Sequence, residues 1–306
     1  MSASVLYDSP GPKTRRRSQV ASAVSLILIA ALVYWVITIL ASPRIAANGQ
    51  ETPGMFDPSR TDILGNPLVW QNFGNGVLAT LAMAGVAAVL AILVGIFFSF
   101  VRTARSAWIR VPAVVVLEFL RGMPVLLMIF FVFLVFTTGA YWAGVLGLGL
   151  YNGAIIGEAL RAGILSLPRG QREAGLAVGL SPIRTRMSIE FPQAFRQMLP
   201  IILAQLVVLL KDTSLAYVVA YDELSRTIKN MQSFLGNRYL FTIFAVGLII
   251  YLLMNLALSW VARWVARRSG PKLGKALPNT PKLPGEEGTR AITLPRFSNG
   301  PPGDHH

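Results

Sequence analysis

There is no cysteine in the 306 residues, and the only two histidines, His305 and His306, close the chain. Disulfides, thiolate nucleophiles and thiolate metal ligands are therefore excluded, and no internal imidazole is left for acid–base or metal chemistry. A membrane-bound enzyme would have to work with carboxylates alone. Charge is scarce as well: Asp, Glu, Lys and Arg make up 14% of residues against 54% hydrophobic, with a mean hydropathy of +0.56. Soluble domains carry about a quarter charged residues, so this composition points to a polytopic membrane protein. A Walker-type GxxxxGK[ST] is also missing. The nearest run, GPKLGKA at Gly270–Ala276, lacks both the spacing and the hydroxyl residue, so the chain is not expected to bind or hydrolyse ATP itself. Neither a filter-like motif of a channel nor the internal repeat of many secondary carriers is visible.

What charge there is has a pattern. The formal net charge is +14, which by itself would suit a nucleic-acid partner. The arginines, however, gather at the ends of apolar runs, and the membrane explains that arrangement better. The runs are Gln19–Ala41, Gly74–Val101, Val111–Thr137, Ala140–Gly163, Gln197–Ala220 and Tyr239–Ala266. Each is long enough for a hydrocarbon core of about 30 Å at about 1.5 Å per residue. Six spans with both termini inside put every arginine cluster on one side, the cytoplasmic one. The first run has the basic start of a signal peptide but exceeds a usual apolar region and lacks a clean small-x-small cleavage site, so it reads as an uncleaved span. Residues 1–18 then form a cytoplasmic tail, 42–73 an extracytoplasmic loop, and 221–238 a second outside loop of mixed sign. From residue 267 onward the chain is dense in proline, glycine and charge, and reads as a disordered cytoplasmic tail to residue 306.

The stretch Ser166–Pro200 carries Arg169, Arg172, Arg184, Arg186 and Arg196 against Glu173 and Glu190. Ionised groups cost roughly 2.5–3.5 kcal/mol each in hydrocarbon even on insertion scales, so this is a loop at the membrane's positive side. Pro168 can open a helix through Gln171–Val178, and Gly179 suits its end, where positive φ is often needed. Ser181-Pro182 reads as an N-cap with proline at the first helical position. Pro192 is expected to limit that second helix.

Polar groups within the spans are costly and usually face a cavity or a partner. Glu118 and Arg121 are spaced i, i+3, roughly 10–15 Å into the third run, and Gly122 and Pro124 suggest a break there. Glu158 and Arg161 repeat the spacing near the loop end of the fourth run, with Asn152 deeper. Lys211-Asp212-Thr213-Ser214 lie roughly 20 Å into the fifth run. Such pairs are either self-neutralised ion pairs that fix packing or parts of a polar path, and the residues alone leave both open. Gly149, Gly153 and Gly157 form a small-residue face, read as intramolecular packing ahead of dimerisation.

Glu173-Ala174-Gly175, then Gly179, then Ile189 and Phe191-Pro192 resembles the EAA loop of binding-protein-dependent ABC importer permeases, with glycine in place of the motif's third residue, alanine. LEFLRGMPVLLMIFF, YNGAIIGEALRAGILSLPRGQREAG and LLKDTSL, in that order, look like the polar amino acid subfamily, and the first span with YDSPGPKTRRR looks like its glutamate-uptake permeases. The resemblance covers about residues 74–266. It implies an all-α fold of five core helices plus one N-terminal span, and a coupling helix in loop 166–196. Gln171, Arg172, Glu173, Ala174, Gly175, Gly179, Leu180 and Ser181 would meet an ATPase subunit that holds the ATP and Mg. It further implies a second permease chain, identical or homologous, and an extracellular amino acid-binding protein, in a bacterial inner membrane. No cofactor is assigned to this chain and no nucleic acid partner. For the path, Arg121, Glu118, Asn152, Lys211, Asp212, Thr213 and Ser214 are the candidates, because an acidic cargo's surplus carboxylate would suit a path holding Arg121 and Lys211. Glutamine, aspartate or a basic amino acid are the alternative cargoes, and an ion-coupled carrier the alternative class.

Overall fold

A computed structural model describes residues 11–45, 51–104 and 106–269. Residues 1–10 of the expected cytoplasmic tail 1–18, Arg105, and residues 270–306 of the expected disordered tail 267–306, with His305 and His306, lie outside the described residues, whereas residues 267–269 are helical.

The described chain is helical apart from a two-residue antiparallel hairpin, β1 (Arg44–Ile45) with β2 (Glu51–Thr52), and short 3₁₀ turns. The helices are α1 (Pro12–Ala41), α2 (Pro67–Val101), α3 (Ala107–Gly122), α4 (Val125–Val135), α5 (Ala140–Leu165), α6 (Arg169–Ala177), α7 (Pro182–Thr185), α8 (Phe191–Asp212), α9 (Leu224–Leu235) and α10 (Leu240–Ser269). Five helical stretches are long and apolar enough to cross a membrane, or six if α3 and α4 count as one bent span.

At the centre is α5. It packs against α2, α4, α8 and α3, and the small residues in its sequence explain why it can. A Cβ on Gly149 would meet Leu90 Cδ2 at 2.5 Å, one on Gly153 would meet Val94 Cβ at 2.7 Å, and one on Gly157 the carbonyl of Gly95 at 3.1 Å. The glycine face thus lies on α2 of the same chain, as expected: lipid gives no hydrophobic drive for association, and close backbone approach maximises dispersion contacts instead. Met83, Ala87 and Ala91 of α2 and Ile129 and Val132 of α4 complete this core with Leu148, Ile156 and Leu160.

The outward surface is apolar too. Leu78, Val86, Leu93 and Phe97 on α2 and Leu248, Leu252, Leu256 and Trp260 on α10 are all exposed, a surface that suits hydrocarbon and not water. No described side chain of α1 is buried, and its apolar residues from Val20 to Ile39 stay open.

Four expectations need correction. The break suggested at Gly122 and Pro124 is present, but it is a corner rather than a kink within a single crossing: α3 and α4 meet at 110° across Met123-Pro124. Met123 is extended (φ −84°, ψ 130°), as the ring of a following proline forces. Second, Pro192 does not stop the loop's second helix. The chain is helical from Pro182 to Val219, because a π turn at Arg186–Glu190 re-spaces the carbonyls ahead of the ring, with Phe191 N–H bonded to Arg186 C=O. The clash and lost bond that break an α-helix at proline are met by that wider turn. Third, residues 221–238 are not plain loop but hold amphipathic α9. The buried Glu223 caps it, accepting from Ser225 N–H at 2.9 Å and Arg226 N–H at 2.8 Å. Last, α1 begins at Pro12 and α2 at Pro67, so helix extends beyond both apolar runs at their N-terminal sides.

Candidate functional site

The basic loop is an ordered knob. Helix α6 ends in a Schellman motif: Leu180 N–H donates to Gly175 C=O at 3.1 Å and Gly179 N–H to Leu176 C=O at 3.0 Å, with Gly179 at φ +84°. Only glycine adopts that φ cheaply. One residue on, Ser181 Oγ accepts from Arg184 N–H at 3.4 Å and Pro182 opens α7. Gly175 is the one residue of α6 that is buried. A Cβ there would meet Thr185 Cγ2 at 2.6 Å and Ile189 Cδ1 at 3.0 Å. Glycine at that place therefore lets α6 seat directly on the following helix.

Most of the candidate coupling residues around that seat face outward. Gln171, Arg172, Glu173, Ala174, Gly179 and Ser181 are exposed and Leu180 is half-buried. Val178 at 77%, Ile183 at 72% and Met187 at 57% exposure form an apolar crown on a charged base. The knob is tied to the helix bundle by Arg186, whose Nη1 donates to the carbonyl and hydroxyl of Thr103 at 2.9 Å and whose Nε lies 3.6 Å from Glu190. Gln193 Nε2 donates to Gln171 Oε1 at 3.2 Å and joins α6 to α8.

The two i, i+3 pairs both form, at 3.3 Å for Arg121–Glu118 and 2.6 Å for Arg161–Glu158. Arg102, at the end of α2, links them by pairing with Glu158 and lying 3.9 Å from Glu118. The result is one alternating chain, Arg121–Glu118–Arg102–Glu158–Arg161, close to the loop. The sequence offered Arg102 only as a charge at a span end, since its partners are 16 and 56 residues away. Asn152 is fully buried; it donates to Leu148 C=O at 2.8 Å and accepts from Gln205 Nε2 at 2.8 Å, bridging α5 to α8.

Lys211, Asp212, Thr213 and Ser214 mark the point where α8 tightens into a 3₁₀ turn, Thr213–Val219. Thr213 is buried and donates to Leu210 C=O at 2.7 Å, and Ser214 donates to Lys211 C=O at 2.9 Å. The hydroxyl of Tyr251 on α10 donates to the carbonyls of Leu210 and Lys211 at 3.0 and 2.8 Å. Lys211 is exposed, Asp212 is half-buried, and neither has an ion-pair partner within 4.0 Å among the described residues. Arg121 belongs to the charge chain through Glu118, and neither Lys211 nor Asp212 is linked to that chain by an ion pair among the described residues. No group of three carboxylates or imidazoles that could hold a metal occurs among the described residues.

A helix-capped knob thus stands on a continuous rod that is itself one of the five candidate membrane spans among the described residues. The model of the binding-protein-dependent transport system inner membrane component matches residues 89–270. The chain belongs to that family. Among curated relatives of this permease, the glutamate transport system permease protein GluD of Corynebacterium glutamicum is 34% identical over 76% of this chain and 88% of its own. The probable glutamine ABC transporter permease protein GlnP of Bacillus subtilis is 36% identical over 62% and 89%. A crystal structure of an amino acid ABC transporter matches with a TM-score of 0.60 at 25% identity, covering 68% of this permease and 98% of that chain. The MetNI methionine ABC transporter, with a TM-score of 0.57 at 18% identity over 67% and 99%, shows the same fold. The resemblance to binding-protein-dependent ABC importer permeases is borne out, and the family is one of inner-membrane components.

Proposed function

We propose that this permease forms the translocation path of an ATP-driven amino acid importer, with glutamate as cargo, and that loop 166–196 is where the ATPase subunit pushes. The observation that carries the reading is mechanical continuity: α6 seats on a helix that runs unbroken from Pro182 to Val219 and holds Lys211–Ser214 near its far end. At about 1.5 Å per residue that rod is roughly 55 Å long. When ATP and Mg close two ATPase subunits, their grooves carry the knobs with them, the rods tilt, and access to the path alternates between the two sides.

The remaining parts follow from that reading. The arginine-rich side and both termini are cytoplasmic, a second permease chain completes the path, and an extracellular binding protein delivers the cargo. Lys211 supplies positive charge for the cargo's surplus carboxylate, with Thr213 and Ser214 beside it and Arg121 nearer the exit. A relative aligned over 76% of this chain is a glutamate permease by name, against 62% for a glutamine permease, which supports that cargo ahead of glutamine, aspartate or a basic amino acid.

Three measurements test this. The purified permease should bring an ATPase whose turnover rises with binding protein and cargo; transport with no ATPase present would establish a secondary carrier instead. In the reconstituted complex, unlabelled glutamate should compete best against labelled glutamate in a panel with glutamine, aspartate and arginine. Uptake in Lys211→Met and Arg121→Met should fall or change selectivity, and normal rate and selectivity in both would remove these residues from the path.

A further inference from the structure

Between the knob and the ends of α2 and α5 lies a cavity of about 450 Å³ whose lining includes Arg102, Arg161, Arg169, Arg172 and Arg186, with Glu190. Three of those guanidiniums have carboxylate partners: Arg102 and Arg161 share Glu158, and Arg186 lies beside Glu190. Arg169 and Arg172 have no ion pair within 4.0 Å among the described residues. Arg186 Nε is buried without a hydrogen-bond partner. The cavity thus holds a surplus of planar donors suited to a phosphate, which arginine binds through two parallel N–H bonds.

A second opening adjoins it. A groove of about 400 Å³ shares Thr103, Arg172 and Arg186 with the cavity, and apart from Ser106 is otherwise lined by apolar groups such as Phe100, Val101, Ile109, Pro182 and Ile183. It runs where α2 ends and α3 begins, and Trp108 stands beside it 91% exposed, as aromatics do at a membrane–water boundary. A protein carboxylate or a free anion would use the basic cavity and leave this groove empty. A molecule with a phosphate at one end and hydrocarbon at the other fits both.

We propose that the basic cavity and its apolar groove together bind one anionic glycerophospholipid from the leaflet on the loop's side, the phosphodiester among Arg169, Arg172 and Arg186 and an acyl chain along Ile109 and Val101. The lipid would wedge the knob against the end of α2, beside the Arg186–Thr103 tether, so the resting angle of the knob would depend on leaflet composition. The site rests on the geometry alone and holds whichever cargo the permease carries.

Native mass spectrometry of the whole permease–ATPase complex, released from vesicles of phosphatidylglycerol and phosphatidylcholine, tests it. The complex should retain phosphatidylglycerol in preference to phosphatidylcholine. Arg169→Gln with Arg172→Gln should cut that retention by roughly 10- to 30-fold, the factor two cationic contacts at an anionic surface supply. Ile109→Gln, which leaves every charge in place, should also weaken it, and excess glycerol phosphate should not displace the lipid. Equal retention of both lipids, or retention unchanged in both variants, would overturn the proposal. Displacement by glycerol phosphate would make the cavity a plain anion site, and loss of the lipid whenever the ATPase binds would assign the arginines to that interface; either result would overturn it too. Failure of uptake with lipid retention intact would count against the import reading and leave this one standing.

Discussion

Two proline-bearing stretches of this chain behave in opposite ways. At Met123-Pro124 the helix ends and its continuation leaves at 110°. At Pro192 and again at Pro200 the helix goes on. The same ring, with the same missing N–H, gives a corner in one place and a rod in the other. The difference lies in what surrounds it. Pro192 follows a π turn, held by the Arg186–Glu190 pair and tied to Thr103. Pro124 follows Gly122 and an extended Met123, and both helices pack on α5 at their own angles. Proline breaks a helix unless the backbone ahead of it makes room for the ring, as the π turn does before Pro192. The rod can transmit force over its length, whereas the corner cannot.

The firmest way to break this contrast is to remove the frame the rod leans on. Gly157→Leu would drive a branched side chain into the Gly95 carbonyl and Phe98, at a cost of about 3 kcal/mol or more for overpacking. Most of the protein should be lost from the membrane, read as a collapse of the size-exclusion peak and of the melting temperature in detergent.

The next effect is on transmission alone. Met187→Gly with Ser188→Gly places two glycines in the π turn, each costing about 1 kcal/mol in a helix. The ATPase should still bind and hydrolyse ATP, while uptake falls about tenfold, the factor that about 1.4 kcal/mol of coupling represents. Uptake kept at the normal rate would mean that rod continuity does not carry the stroke.

Smaller still, Gly175→Ala should destabilise the knob by about 1–2 kcal/mol through the 2.6 Å approach to Thr185 Cγ2. Thr185→Ser removes that methyl, so the double variant should recover much of the loss in a double-mutant cycle. Gly179→Ala should cost about 1 kcal/mol for its positive φ, and Gly179→Asn less.

The smallest concerns the far end. Burial pushes the Glu223 carboxyl above its ordinary value of 4.5, against the opposing backbone N–H bonds. Its folded state holds the proton more tightly than the unfolded one, so its contribution is full below that ordinary value and is lost as pH rises through the raised one. Glu223→Gln keeps the cap acceptor without the charge and should flatten this dependence in melting curves, whereas Glu223→Ala should cost about 1 kcal/mol.

Residues whose partners are local were readable in the chain. The Ser181-Pro182 cap, the Gly179 turn and both i, i+3 pairs needed only spacing. So did the glycine face of α5, because a small-residue stripe implies close approach. What spacing could not show was set by distant groups. Arg102 gains meaning only once α2, α3 and α5 bring two glutamates to it. Asn152 reads as a lone polar residue until Gln205 is placed opposite. The apolar stripe of α9, Leu224, Ile228, Met231 and Leu235 at i, i+4, i+7 and i+11, was legible in the chain; only its start depends on the fold, through the burial of Glu223. The π turn was invisible for the same reason, since the helix-breaking effect of proline is offset there by an ion pair and a tether 83 residues away.

The absence of cysteine makes one experiment unusually clean. Val178→Cys puts a single thiol on the exposed crown of the knob, where a photo-crosslinker can be attached. An adduct with the ATPase subunit, and protection of the thiol from an impermeant reagent added outside the cell, is the result a pushed lever requires. Labelling from outside, or full uptake with no ATPase adduct, would contradict it.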